Sequence, residues 1–213
     1  MHSQLELRDP IHGFIQRSDL EARVIDTSVF QRLRGIKQLA LANLVYPGAN
    51  HTRFDHSIGV MHVAGRLALQ LLGAESTEKI QLVRLTALLH DVGHGPFSHV
   101  AEKILDKYFD TGKVKPENRE KIHELIACQI IESNQELAEH LGSAVKEQII
   151  KALKGVEADA LIKGIVSGPL DADKQDYLLR DSYFCGVKYG VFDLERLIGT
   201  WGLFRKAPRV LGA

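Results

Sequence analysis

The sequence predicts a mainly α fold: a helical bundle preceded by a short N-terminal β-hairpin or arm. Three observations carry the prediction. Apolar residues recur at helical spacing through most of the 213-residue chain, strand-like alternation is confined to its start, and glycine and proline clusters separate one helical stretch from the next.

Residues 1–17 are short, mixed and alternating, with Pro10 and Gly13 as turn punctuation, and such a hairpin is too short to be stable alone. From Asp26 the pattern turns helical. Asp26, Thr27 or Ser28 is expected to cap a helix carrying Phe30, Leu33, Ile36, Leu39 and Ala40 on one face and ended by Tyr46-Pro47-Gly48. A helix over 57–72 places Val60, Val63, Ala64, Leu67, Ala68 and Leu71 together before Gly73, and another spans 77–92 until Gly93, Gly95 and Pro96 interrupt it. Further helices are predicted over 98–109, then, after the polar connector DTGKVKPENRE, over 119–132, 134–141, 143–153, 157–166 and 172–185. The tail VFDLERLIGTWGLFRKAPRVLGA starts a helix and ends in a strand-like run, and there is no internal repeat.

Length bounds the chain to one domain over residues 1–213, with 1–17 as its arm. Lys+Arg and Asp+Glu both number 27, so no global positive field draws the protein to nucleic acid or an anionic membrane. Any polyanion has to be held by a local basic site. No cationic segment precedes an apolar run, and no window reaches the roughly 18 apolar residues of a membrane span. Cys128 and Cys185 form no CxxC pair and read as buried free thiols in a reducing compartment. A soluble cytoplasmic protein is expected.

The chemistry concentrates in four places: His56 in RFDHS, the pair His90-Asp91 in LTALLHDVGHGPFSH, and Asp173 in DADKQDY. Two imidazoles and two carboxylates make a mixed nitrogen and oxygen donor set. It suits one divalent transition metal (Mn, Fe, Zn, Co or Ni) better than an all-oxygen cage for Ca or Mg. Isolated histidines are more often caps or core residues, and His2, His62 and His140 are read that way; His12 and His51 stay open. A bound divalent ion lowers the pKa of its water toward ~7 and neutralises phosphate oxygens, which makes phosphoester hydrolysis its natural use. The leaving alkoxide needs a proton, and His94, His99 and His123 are the candidate donors, whereas Glu124 reads as a solvated helix residue. Arg53 and Lys174 adjoin presumed ligands and could hold phosphate. Asp173, Tyr177 and Asp181 at i, i+4 and i+8 share one stripe of a helix; with Asp173 on a metal, the other two are expected along the same cleft.

The same residues carry a family resemblance. His56, His90-Asp91 and Asp173, in that order, resemble the H…HD…D signature of the HD superfamily of metal-dependent phosphohydrolases. DPIHGFI, IDTSVFQRLRGIKQL, YPGANHTRFDHSIGV, LLHDVGHGPFSH, HE (123–124) and DADKQDYLLRDSYFCGV extend the likeness to the branch that hydrolyses deoxynucleoside triphosphates, which includes the vertebrate sterile-alpha-motif-and-HD-domain enzyme. The resemblance implies an HD-domain helical bundle and conversion of a deoxynucleoside triphosphate to deoxynucleoside and triphosphate. It brings His56, His90, Asp91 and Asp173 onto one metal ion, with Mg accompanying the substrate phosphates. It places His94, His99 and His123 around the phosphates, with Glu102 as partner of His99 where the vertebrate relative has an aspartate. Gln38, Leu39, Tyr177 and Asp181 match positions that contact the deoxyribose. Asp26, Gln31, Arg32 and Arg34 match positions that bind an activating nucleotide between subunits, while Leu5 stands where that site has a basic residue. A homo-oligomer is implied, and the family's C-terminal helical region has no counterpart here. Two rival functions remain: a phosphohydrolase acting on a nucleoside monophosphate or a cyclic or polyphosphorylated nucleotide, and a weakly active nucleotide-sensing or nucleic-acid-binding module.

Overall fold

A computed structural model of the chain describes residues 5–97, 101, 122–155 and 159–203. The hairpin is present: β1 (Leu5–Asp9) pairs antiparallel with β2 (Gly13–Arg17), with Asp9 opposite Gly13. Gly13 adopts φ +78°, a conformation open to glycine at little cost, and so closes the turn. Helices follow: α1 (Asp19–Asp26), α2 (Ser28–Gln31), α3 (Arg53–Leu72), α4 (Thr77–Leu89), α5 (Ile122–Ser133), α6 (Gln135–Lys154), α7 (Ala160–Ser167), α8 (Ala172–Cys185) and α9 (Leu194–Thr200). No helix among the described residues is long and apolar enough to cross a membrane.

α3 is the axis of the fold and packs most extensively on α4 and α8. Its two faces serve two hydrophobic clusters. Phe54, Ile58 and Met61 join Phe30, Leu33, Leu88 and Leu137 in one, while Val60, Val63, Ala64 and Leu67 join Val83, Ile162 and Ile165 in the other. A helix apolar nearly all round is a buried one. Its ends are correspondingly well fixed: Thr52 accepts from the Asp55 amide while the Asp55 carboxylate accepts from the Thr52 amide, and Gly73 closes the far end.

The predicted helix from Asp26 to Tyr46 does not form. Thr27 and Ile36 are extended, α2 passes into a 3₁₀ turn over Arg32–Gly35, and Ala40 has φ +50°. The physical reason lies in the backbone of residues 36–38, which runs beside 51–53: the Arg53 amide donates to the Ile36 carbonyl at 2.8 Å and the Gln38 amide to the His51 carbonyl at 3.0 Å. Phe30, Leu33 and Ile36 still reach the core, so the apolar spacing satisfied packing without a continuous helix. α1 escaped the sequence reading altogether, although the Ser18 and Glu21 capping box that starts it is legible as S-x-x-E. The predicted break at residue 142 is real: Gly142 has φ +67° and ψ 161° inside α6. The predicted helix over 98–109 and the polar connector after it lie largely outside the described residues, as does the strand-like end of the tail.

Candidate metal centre

Three helix ends meet at one point. His56 stands in the first turn of α3, His90 caps the C-terminus of α4 with Asp91 beyond it, and Asp173 stands in the first turn of α8. The candidate ligand atoms of His56, His90 and Asp173 all lie within 4.8 Å of one another. Asp91 joins them from the other side, with Oδ1 3.3 Å from His90 Nε2 and Oδ2 3.7 Å from His56 Nε2. Asp91 also belongs to a second such group with His94 and His123.

The histidine tautomers follow from their outer hydrogen bonds. His90 Nδ1 donates to the Ala87 carbonyl at 2.7 Å, and His56 Nδ1 donates to Asp176 Oδ2 at 2.8 Å. Each ring thus turns Nε2 toward the shared space. Both Nε2 atoms are buried and face carboxylates, His56 Nε2 at 3.0 Å from Asp173 Oδ1 and His90 Nε2 at 3.3 Å from Asp91 Oδ1. Imidazole nitrogens and carboxylate oxygens that converge on one buried point are a donor set for a divalent cation, and a histidine whose other nitrogen is held by a carboxylate or carbonyl is oriented as metal ligands are. The donor set therefore fits a divalent cation.

Electrostatics agree. Burial lowers the basicity of His56, but hydrogen bonds and charges from Asp173 and Asp176 outweigh it and push the imidazole up to about 10. His90 is raised likewise by Asp91 and Asp173 against burial. Burial raises Asp91 and Asp173, yet the surrounding cations hold both below the ordinary carboxylate range. The pocket favours positive charge. His94 differs: burial and the charges of Arg53 and His123 prevail over Asp91 and take it down to about 4, so it is neutral at neutral pH.

A cleft of about 310 Å³ opens from this centre, lined by Gln38, Arg53, His90, Asp91, His94, His123, Asp173, Lys174 and Tyr177, with Glu124 and Asp171 on the wall. His94 and His123 stack face to face, with ring centroids 4.0 Å apart and planes 15° from parallel. Glu124, read as a solvated residue, lines the cleft instead. Arg53 is buried and pairs with Asp91. Lys174 Nζ donates to Asp171 Oδ2 at 2.6 Å and to the Gly168 carbonyl at 3.1 Å. Gly93 lets the loop after the HD pair meet α5, since a Cβ there would fall 2.0 Å from the His123 carbonyl oxygen.

Other predicted residues lie elsewhere. Leu39 does not line the cleft. Asp181 turns away from it and pairs with His51 Nε2 at 2.9 Å. Eight residues along a helix amount to about 80° beyond two full turns and about 12 Å of rise, so Asp181 does not stay in line with Asp173. Of the four residues matched to an activator site, Arg32 donates to the His94 carbonyl at 2.7 Å and to that of Val92, clamping the loop after the HD pair. Arg34 donates to Gln31 Oε1 at 2.7 Å, and Asp26 is exposed. His99 and Glu102 fall outside the described residues. Asp176 and His12 were not singled out as site residues, yet His12 Nε2 lies 2.6 Å from Asp176 Oδ1 directly behind His56.

Comparison with known proteins agrees with this geometry. An uncharacterised protein of Methanocaldococcus jannaschii is 38% identical over 206 residues, which cover 96% of this chain and 39% of that one. A deoxynucleoside triphosphate triphosphohydrolase of Homo sapiens is 37% identical over 229 residues, covering 90% of this chain and 35% of the relative. The chain thus spans well under half the length of these relatives. Among solved structures, a hypothetical protein from Aquifex aeolicus has a TM-score of 0.78 at 37% identity over 94% of this chain and 52% of its own. A phosphohydrolase from Bacteroides thetaiotaomicron has a TM-score of 0.77 at 32% identity, covering 94% and 47%. The HD domain family matches residues 53–176, from the arginine that opens α3 to the aspartate behind His56, and the chain belongs to that family.

Proposed function

We propose that the chain hydrolyses a deoxynucleoside triphosphate to the deoxynucleoside and inorganic triphosphate, with His56, His90, Asp91 and Asp173 holding one divalent transition-metal ion. The observation that carries the reading is the convergence of two buried Nε2 atoms with two carboxylates at the head of the cleft. When bound, the ion supplies a water of lowered pKa and neutralises phosphate oxygens.

The chain's own residues do the rest. Water attacks the α-phosphorus and the bond to the 5′-oxygen breaks, so that oxygen needs a proton. His123 stands stacked on His94 beside Asp91 and His99 is a further candidate donor, while His94, neutral at neutral pH, has to take up a proton before it can give one. Arg53 and Lys174 bring two positive charges to the cleft wall, where a triphosphate would take over part of the pairing they now give Asp91 and Asp171. Gln38 and Tyr177, also on that wall, are assigned to the sugar. Groups fixed by different helices before substrate arrives lower the barrier by preorganisation.

Purified protein incubated with Mn²⁺ and a panel of nucleotides, with products separated by ion-exchange chromatography, is expected to release intact triphosphate. His90→Ala and Asp91→Ala are expected to lose metal and turnover together while far-ultraviolet circular dichroism stays helical. Release of pyrophosphate or orthophosphate would refute the substrate assignment, and full metal occupancy in a variant carrying both His90→Ala and Asp91→Ala would refute the ligand set.

A further inference from the structure

The polar network behind His56 reaches across the molecule to the N-terminal hairpin. Asp176 Oδ1 is shared by His12 Nε2 at 2.6 Å and Arg180 Nη2 at 2.9 Å. Oδ2 is shared by His56 Nδ1 and Arg180 Nε, both at 2.8 Å. The remaining arm of the guanidinium, Nη1, donates to Asp9 Oδ2 at 2.8 Å. Arg180 and Asp176 are 0% exposed and Asp9 is 6% exposed. Asp9 does a second task, because its Oδ1 accepts from the amides of Ile11 at 2.8 Å and His12 at 2.9 Å. One carboxylate therefore both folds the turn that presents His12 and fixes Arg180. Gly59 on α3 leaves room for this, since a Cβ there would fall 1.9 Å from Asp176 Oδ1 and 2.4 Å from Arg180 Nη2.

We propose that the hairpin is a working part of the metal centre, with Asp9 and His12 as positioning residues that act on His56 through Asp176. The inference rests on the reading of His56 as a metal ligand. Arg180 lies on the same helix as Asp176 and cannot by itself fix that carboxylate relative to α3. Among the described residues, the links from Asp176 and Arg180 to other elements are those to His12, Asp9 and His56 itself. The hairpin thus decides where the carboxylate stands when it accepts the hydrogen bond from His56 Nδ1–H. A carboxylate that accepts from His56 Nδ1–H strengthens Nε2 as a donor to a cation. Simple anchoring of the hairpin does not call for such a network, because burying ions costs desolvation that apolar packing avoids. The hairpin also has an anchor elsewhere: Arg84 Nη2 donates to the Gln16 carbonyl at 2.8 Å while Nε holds Glu21, itself 0% exposed, at 2.6 Å.

That second anchor provides the control. Asp9→Asn, His12→Gln and Glu21→Gln are made in the full chain, and Mn²⁺ affinity is measured by competition with a chelating dye. The visible absorption of the Co²⁺ form and the urea stability of the metal-free form are recorded alongside. Asp9→Asn and His12→Gln are expected to bind Mn²⁺ about 10–100-fold more weakly, the usual effect of removing a partner of a ligating histidine, and to shift the Co²⁺ spectrum. Glu21→Gln is expected to lower stability and leave both metal readouts in place. His12→Gln keeps the Asp9 turn and the Arg180 pair, so it carries the test if Asp9→Asn does not fold. A wild type that binds no metal would refute the reading of the centre itself. Metal binding by the wild type with unchanged affinity in both hairpin variants would overturn the hairpin's role. So would an equal loss in Glu21→Gln, or failure of His12→Gln to fold, since either outcome makes the network structural only.

Discussion

His62 offers a stability switch away from the metal ligands, and its size can be worked out. It lies on α3 in a partly buried position, with its ring 5.3 Å from that of His12. Burial lowers its affinity for a proton, and His12, Arg66 and Arg84 lower it further against the opposing charge of Asp9, taking the imidazole down to about 4. In the unfolded chain the same group titrates near ~6.5. Between these values the unfolded state binds a proton that the folded state refuses, so stability rises with pH across the window and is lost as pH falls through it. Working the two-site expression gives a loss of about 2 kcal/mol between pH 7.5 and pH 5, approaching about 3 kcal/mol below pH 4.

For a chain of this length, 2 kcal/mol corresponds to a fall in Tm of roughly 4–8 °C. Carboxylates titrate in the same region, so the difference between wild type and His62→Gln is the quantity to follow. Urea unfolding of the metal-free proteins at pH 7.5, 6 and 5 is expected to show the variant gaining about 2 kcal/mol on the wild type as the pH falls, whatever its offset at pH 7.5. Parallel profiles would show that the positive neighbours and burial do not hold the ring neutral.

Two further outcomes are expected. Tyr177→Ala opens the cleft wall assigned to the sugar, so it should raise kcat/KM for GTP relative to dGTP; an unchanged ratio would remove Tyr177 from sugar selection. Gly93→Ala drives a Cβ against backbone of α5, 2.0 Å from the His123 carbonyl oxygen and 2.4 Å from the Ala127 amide nitrogen, where no side chain can yield. It should cost about 2–3 kcal/mol, at the upper end of overpacking, and a urea midpoint equal to that of wild type would contradict the close approach.

Helices whose ends are marked by local chemistry were legible. α8 runs over the predicted 172–185, because Asp171 accepts from the Lys174 amide at its start and Gly186 turns left-handed at its end. The break at Gly142 was legible for the same reason. Between Asp26 and Tyr46 the apolar spacing misled. A core requires only that Phe30, Leu33 and Ile36 reach it, and a short helix followed by a 3₁₀ turn delivers them as well as a long helix does. What decided the backbone there was pairing with residues 51–53, a contact between segments that periodicity does not encode.

The candidate site divides along the same line. Ligand candidates stand out in a sequence because His-Asp and its spaced partners are rare in combination, whereas the groups that orient them look ordinary. Asp176 and Arg180 read as an i, i+4 ion pair of the kind found on any exposed helix. His12 is separated from Asp176 by 164 residues, and nothing local in DPIHG marks it as a neighbour of α8. Arg53 and Lys174 adjoin the presumed ligands His56 and Asp173 in sequence, which suggested phosphate binding, and the fold pairs them with Asp91 and Asp171. A phosphate bound as proposed displaces carboxylate contacts that the guanidinium and the ammonium already make. On that proposal, phosphate binding is coupled to the charge of Asp91 and Asp171 through these two side chains, which the fold presents as shared cations.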